Sequence, residues 1–377
     1  MHQERYTGNE LMKVEIAKII SNGCGLGWGD GKTFFVPFTI PGEIVEITAA
    51  VKEKGHFKAT DFEIATASKH RRKPICAHYT HCGGCSFQHI SYPEQMNIKK
   101  EIFLELLKQN GIELEIEPVL YSAGETNLRT RAKVFVDDGV PAFRSYRSNE
   151  LVKFQNCPLL NREFIKNIFD DSKKRRGDVQ YEFSKFSKDL MPPKESVRKI
   201  VNGKEIKILR NSFFQSSEEG AGILCSLLED EIKASTPETG YDLFCGSGLF
   251  SVFMTDAGVK TTGMEIIHES CRSYEENLGN TAQIERVDAY KIKKLEKRDI
   301  VVADPPRDGL GTELVDIVAE SKAKTVVYIS CEPSKFARDM KRFVDCGYKL
   351  KNLDIVDLFP STHHFEVFSV FKRFQDI

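Results

Sequence analysis

Two hydrophobic rhythms divide the chain. Up to about residue 66, apolar and polar positions alternate in short segments punctuated by glycine: "KVEIAKII", "GLGWGDGKTFFVPF", "GEIVEITAAVKEK" and "HFKATDFEIA". A period of two belongs to half-buried strands, and Asp30-Gly31 ahead of "KTFFVPF" is a hairpin turn, so residues 1–66 are expected to form a small antiparallel β-barrel. From about residue 205 the rhythm changes. "TGYDLFCGSGLFSVFMTDAG" reads as strand, glycine turn and helix, "VKTTGMEIIHESCRSYEENLG" repeats the unit, and "RDIVVADPP" and "KTVVYISC" are further buried strands, each followed by a helix. This succession predicts a doubly wound α/β domain over 205–377, its sheet closed by an antiparallel hairpin of "YKLKNLDIVDLFP" and "HFEVFSVFKRF".

The stretch between, 67–204, is a separate central domain in this reading. After a cysteine-bearing segment it forms a helix with Ser91 as N-cap, Pro93 in its first turn, Ile98, Ile102, Phe103, Leu106 and Leu107 on one face, and Gly111 as its stop. Strands joined at Asp138-Gly139 follow, carrying Arg129, Arg131, Arg144 and Arg147; these suit RNA backbone contacts, or equally an ordinary charged sheet face.

Length and composition narrow the class. A chain of 377 residues can bury two or three cores. No apolar run approaches the roughly 20 residues needed to cross a bilayer, and "MHQERYTGNELMK" lacks the pattern of a signal peptide, so a cytoplasmic protein without membrane contact is expected. In that compartment ten cysteines point to metal or catalysis rather than disulfides. Net charge, 54 basic against 55 acidic residues, is uninformative, although "KHRRK" at Lys69–Lys73 and "KKRR" at Lys173–Arg176 could each face phosphates.

Cys76, Cys82 and Cys85 are spaced C-x5-C-x2-C, and Cys157 follows far downstream in "FQNCPLL". Thiolates two residues apart can grip one metal across the Gly83-Gly84 turn; four of them suit tetrahedral zinc as well as a [4Fe-4S] cluster. In the α/β domain, Gly246 and Gly248 follow the first strand, Glu265 ends the second where it can accept ribose hydroxyls, and Asp288 ends the third near an adenine edge. A third glycine and a P-loop lysine are both missing, so S-adenosylmethionine outranks NAD or ATP as cofactor. Asp304 lies in "ADPPRDGL" after the fourth strand; upstream, "NSFFQSS" offers Phe213 to stack on a base and Gln215 to bond its edge, with Phe214 read as core. Cys331 sits between a buried strand and a helix N-terminus, whose unpaired amides are expected to favour its thiolate.

Taken together these segments carry a resemblance. The amino-terminal pieces through "VPFTIPGE" resemble the RNA-binding TRAM domain, and "FFQ", "DLFCGSG", "DPPRDGL", "SCEPSKFARD" and "FPSTHHFE" occur in the order and spacing of RNA 5-methyluridine methyltransferases. The resemblance implies a class I methyltransferase domain behind an OB-like barrel and a small iron-sulfur central domain. It implies a [4Fe-4S] cluster on Cys76, Cys82, Cys85 and Cys157, Cys331 as nucleophile and Glu366 as general base. Gln215, Phe244, Glu265, Asp288 and Asp304 would line the S-adenosylmethionine site, with Phe213, Gln215 and Arg307 as substrate contacts. One position departs: residue 249 is Leu where several relatives have Asn or Gly, so its cofactor contact is expected through the backbone. The substrate implied is RNA, 23S ribosomal RNA ahead of transfer RNA, acted on by a monomer. The rival readings are a transfer-RNA enzyme and a non-catalytic RNA-binding or assembly factor.

Overall fold

The structure, a computed structural model, describes residues 5–6 and 12–374. Chain contacts divide it into two compact units, one of residues up to Glu105 with Phe143–Phe154 and Phe359–His363, the other of Leu106–Ala142, Gln155–Leu358 and the remainder from His364 onward.

The first unit begins with strands β1 (Arg5–Tyr6), β2 (Met12–Ile19), β3 (Gly25–Gly29), β4 (Lys32–Val36), β5 (Ile44–Glu53) and β6 (His56–Thr66). β2 alternates as its sequence demands: Met12, Val14 and Ile16 are buried while Lys13 and Glu15 face solvent. These side chains join Phe34, Val36, Val45 and Ile47 in one core, and pairing of β5 with β6 closes β2 to β6 into a five-stranded barrel with β1 on the β5 edge. The expected Asp30-Gly31 turn is present, both residues left-handed with φ of 47° and 68°. The pairing is antiparallel except between β4 and β6, where Phe34 meets Phe57 in parallel register. The reason is parity, since strands alternating up and down cannot close an odd-numbered ring without one parallel pair.

The loop bearing Cys76, Cys82 and Cys85 follows, then helix α1 (Tyr92–Gln109), which starts directly after Ser91 as expected. Buried Glu43 accepts hydrogen bonds from the Arg71 guanidinium, which also reaches the Phe38 carbonyl at 2.9 Å, so the first basic cluster is partly consumed inside its own unit.

In the second unit come β7 (Val119–Ser122), β8 (Arg131–Asp137) and β9 (Val140–Arg144), the last two joined at Asp138-Gly139 as expected, with β9 running on into the first unit towards β10 (Leu151–Lys153). Helix α2 (Arg162–Ser172) is capped by the Asn161 side chain, and β11 (Gly177–Phe183) pairs with β8 and with β12 (Leu190–Met191). A hairpin that sequence reading missed, β13 (Ser196–Val201) and β14 (Lys204–Leu209), turns at Asn202-Gly203; β14 begins at the expected 204/205 boundary and pairs back across it.

Then the α/β rhythm sets in: α3 (Glu218–Ser235), β15 (Thr239–Leu243), α4 (Leu249–Asp256), β16 (Lys260–Glu265), α5 (His268–Leu278), β17 (Gln283–Arg286), β18 (Ile300–Ala303), α6 (Gly311–Glu320), β19 (Thr325–Ser330), α7 (Pro333–Asp345), β20 (Tyr348–Asp357) and β21 (Glu366–Arg373). The sheet order is β17-β16-β15-β18-β19-β21-β20-β7, parallel from β17 to β19 and antiparallel where β21 meets β19 and β20. The closing hairpin is therefore as expected. Strand β7, which pairs in parallel with β20, extends the sheet from outside the predicted α/β segment.

Candidate active site

Doubly wound sheets bind ligands beyond the carboxyl ends of their strands, at the point where strand order reverses. Here that point lies between β15 and β18, and Phe244, Glu265 and Asp304 stand at the ends of β15, β16 and β18. Cys331 follows β19. Because β21 runs antiparallel to β19, with Ser330 opposite Val367, its first residue Glu366 comes to the same edge. A sequence separation of 35 residues thus becomes adjacency.

After β15 the chain turns sharply. Phe244 is left-handed at φ 61°, and its ring lies 5.1 Å from that of Tyr290. Gly248 caps α4 at φ 86°, where a Cβ would stand 2.8 Å from the Tyr274 ring, so glycine is required on two counts. Leu249 is buried and opens α4, leaving its backbone as the part able to meet a ligand.

Glu265 is buried, and its carboxylate accepts backbone N–H groups from Gly246 at 3.0 Å, Ile266 at 2.8 Å and Ile267 at 2.7 Å. It thereby fixes the glycine turn against the end of β16. Ile266 and Ile267, which sequence reading passed over, remain exposed beside it. Asp288 lies two residues beyond β17, accepts from the Tyr290 amide at 3.1 Å and pairs with Lys291 at 3.2 Å. A carboxylate, exposed apolar side chains and an aromatic pair at this edge match the ribose and adenine of S-adenosylmethionine in chemical type.

Around Cys331 the structure gathers acids. Gln215 is buried and donates its amide N–H to Asp304 at 2.9 Å. Burial and the nearby Asp242 carboxyl push Asp304 up to about 7, against the pull of the Gln215 bond. Glu366 is 4% exposed, and its Oε2 has no hydrogen-bond partner; burial, then the Asp304 carboxyl, raise it well above the ordinary carboxylate range, with Arg307 opposing. Burial, then Glu366 and Asp304, push the Cys331 thiol up to about 12, and Arg307 again opposes. This corrects the expectation of a favoured thiolate: desolvation and two flanking carboxyls outweigh the α7 amides. Exposed Arg307 is the cation acting on both groups.

Phe213 is 53% exposed with the Arg131 guanidinium 5.2 Å from its ring centroid, while Phe214 is buried as expected. Arg131 is not open to a ligand in the way supposed: it pairs with buried Glu182 at 2.8 Å, and Glu182 also pairs with fully buried Lys199. Arg147 stacks on Tyr146 at 4.7 Å, and Arg144 donates to the Asn149 carbonyl at 3.0 Å. A positioning group that sequence reading also missed is Asp339. It is fully buried on α7, accepts from the amides of Leu310 at 2.8 Å and Gly311 at 3.2 Å and from the Tyr328 hydroxyl at 2.9 Å, and so anchors the loop that carries Arg307. Its signal was an acid on the apolar face of a helix, among Phe336, Met340 and Phe343.

The cysteine cluster stands differently. Among the described residues no three Cys, His, Asp or Glu side chains are gathered closely enough to hold a metal ion. Cys76, Cys82 and Cys85 lie in the first unit and Cys157 in the second. The Gly84 amide approaches the Cys82 sulfur at 3.4 Å, and Gln88 donates to the Cys85 sulfur at 3.2 Å while accepting from the Cys76 amide at 3.0 Å. N–H donors on sulfur suit thiolates.

Residues 256–373 match the family model of tRNA (uracil-5-)-methyltransferases, and residues 12–69 match the TRAM domain of tRNA (uracil(54)-C(5))-methyltransferases. An uncharacterized RNA methyltransferase of Aquifex aeolicus is 28% identical over 94% of this chain and 97% of its own length. A 23S rRNA (uracil(1939)-C(5))-methyltransferase of Shewanella sediminis is 26% identical over 95% of both chains. The solved tRNA (uracil-54, C5)-methyltransferase of Pyrococcus abyssi, in complex with S-adenosyl-L-homocysteine, shares the fold with a TM-score of 0.77 at 22% identity, covering 95% of this chain and 99% of that one. With a TRAM-like barrel ahead of it and the transferase segment at its carboxyl end, the chain is similar to RNA uracil-5-methyltransferases over nearly its whole length.

Proposed function

We propose that the protein is a cytoplasmic enzyme that methylates C5 of uridine in RNA, with Cys331 as nucleophile and Glu366 as the base. The observation that carries this reading is the convergence of Cys331, Glu366, Asp304 and Gln215 at one sheet edge, where β21 returns antiparallel beside β19. S-adenosylmethionine, when bound at Phe244, Leu249, Glu265 and Asp288, supplies an electrophilic methyl group. Uracil C5 is too weak a nucleophile to accept it unaided. The Cys331 sulfur adds to C6, its proton passing to a neighbouring carboxylate, and the pair of electrons displaced makes C5 nucleophilic. Once C5 carries the methyl group, Glu366 removes the C5 proton, and the C6–S bond breaks to release Cys331. A base enclosed away from water with a raised pKa suits that second task. Gln215 and Asp304 hold one another ready for the uracil edge, Phe213 offers a stacking face, and Arg307 offsets charge on both reacting side chains. In paired RNA the uridine leaves its stack to reach Cys331.

For the substrate, 23S ribosomal RNA is favoured, in keeping with the relative from Shewanella; transfer RNA is the second reading, supported by the two family models. The [4Fe-4S] cluster on Cys76, Cys82, Cys85 and Cys157 is carried by spacing and resemblance, and no catalytic step depends on it. The division of labour that fits these parts is an RNA-gripping barrel over 1–66, a cysteine-bearing central domain over 67–204 and a catalytic domain over 205–377, working as a monomer. Mass-spectrometric mapping of 5-methyluridine in RNA from cells lacking the protein tests the function. Loss at a ribosomal site supports the first reading and loss at a transfer-RNA site the second; unchanged RNA would overturn both.

A further inference from the structure

The second basic cluster has a place in the structure that the proposed mechanism does not use. Lys174 and Arg176 follow α2, and with Arg175, Arg210, Asn211 and Pro192 they line a cleft of about 380 Å³ in the second unit, where Asp178 is the one acidic lining residue. The four cations are not equally available. Arg175 is held by Asp171 through both its Nε and its Nη2, and serves to fasten the end of α2. Arg210 pairs with Glu195 at 2.9 Å and donates to the carbonyls of Pro193 at 3.0 Å and Lys194 at 3.2 Å, but its Nε is buried without an acceptor. Among the described residues Lys174 has no ion-pair partner, and Arg176 has only a 4.0 Å approach to Asp138 with both side chains almost fully exposed. A buried donor without an acceptor is costly, and here it lies at a cleft with two uncompensated charges.

A poly-anion with spaced oxygens answers all three groups. The cleft also leads to the active site along the chain: Arg210 and Asn211 line it, Phe213 is the exposed ring and Gln215 reaches Asp304. Five residues span at most ~17 Å. That is about five stacked nucleotides of one strand. We propose that this cleft, through Lys174, Arg176 and Arg210, binds backbone phosphates of the RNA strand flanking the target uridine, while Phe213 and Gln215 receive the nearer bases. The proposal rests on the RNA-methylating reading above, and it gives the substrate a grip in the second unit independent of the barrel. It also explains how a chain with a net charge of −1 can hold RNA, since a local cluster rather than the total sets the field at a cleft.

The test uses the full chain carrying Lys174→Glu and Arg176→Glu together. Lys233→Glu, an exposed lysine on α3 paired with Asp230, serves as the charge control. Binding of a fluorescein-labelled oligouridylate is followed by anisotropy across a salt series, and methyl transfer to RNA from cells lacking the protein is measured in parallel. The double variant should bind at least roughly tenfold more weakly at low salt, and its plot of log affinity against log salt should be shallower by about 1.4, two single-strand contacts at about 0.7 each. KM for RNA should rise with kcat at saturating RNA kept, and thermal unfolding should match the wild type. Unchanged affinity and slope, or equal weakening by the Lys233→Glu control, would overturn the proposal. Binding is read without catalysis, so a wild type that binds through the cleft but never methylates would sink the proposed function and leave the cleft standing.

Discussion

Replacing Asp304 by asparagine removes one ionisation from the active site while keeping its contact, because the new carboxamide oxygen can still accept the Gln215 N–H. In the folded protein burial and Asp242 push Asp304 up to about 7, against about 3.8 for an aspartate in water. The folded state therefore holds a proton that the unfolded chain releases at lower pH. Stability from this group is fully present below about 3.8 and is lost as pH rises through about 7. About three pH units correspond to about 4 kcal/mol, and the surface Asp304 retains brings this to about 2 to 4 kcal/mol. Asp304→Asn should thus match the wild type near pH 4 and be more stable at pH 8, with the transition of the second unit raised by roughly 5 to 10 °C in calorimetry. It should also be nearly inactive, the usual outcome when a destabilising catalytic group is neutralised. Part of the pH dependence should persist, since Asp242 also titrates near 7 and Glu366 remains. Equal pH dependence in both proteins would refute the argument, as would a variant less stable than wild type at pH 8.

Cys331→Ala should give no covalent RNA complex and no product, whereas Glu366→Gln should attack and methylate but stall before elimination, leaving an adduct visible on denaturing electrophoresis. Normal turnover by either variant would remove that residue from its role. Glu265→Ala should weaken S-adenosylmethionine binding in calorimetry, because three backbone amides of the glycine turn and its neighbour lose their acceptor; unchanged affinity would move the cofactor elsewhere. Anaerobically purified protein should be brown and carry about four irons per chain. Stoichiometric zinc without iron would end the [4Fe-4S] reading, and loss of iron in Cys85→Ser should accompany any confirmation.

Much of the fold was legible because its signals are local. The Asp30-Gly31 and Asp138-Gly139 turns, the α1 boundaries and the β20–β21 hairpin each depend on residues within a few positions of one another. Asn202-Gly203 carried the same kind of signal for the β13–β14 hairpin, and drawing a boundary at 204/205 cut across it. The parallel contact of β4 with β6 and the addition of β7 to the sheet were not legible, since each pairs segments distant along the chain.

The sequence by itself determined which residue types the chemistry has available: a cysteine after a buried strand, acids at the ends of three others, and glycines where the backbone turns left-handed. These follow from hydrophobic period and backbone sterics, which act over a few residues. Only the tertiary structure decided their electrostatic state. Neighbours supplied by β18 and β21 turned Cys331 from an expected thiolate into a thiol pushed up to about 12, because burial and two carboxyls act over distances that sequence does not encode. The same is true of the basic residues. Arg131 and Lys199 are bound inside the second unit by Glu182, while Lys174 and Arg176, no different in type, were left at a cleft, Arg176 with only an exposed 4.0 Å approach to Asp138. Charge type is written in the chain, but its availability depends on which partners the fold brings within hydrogen-bond reach.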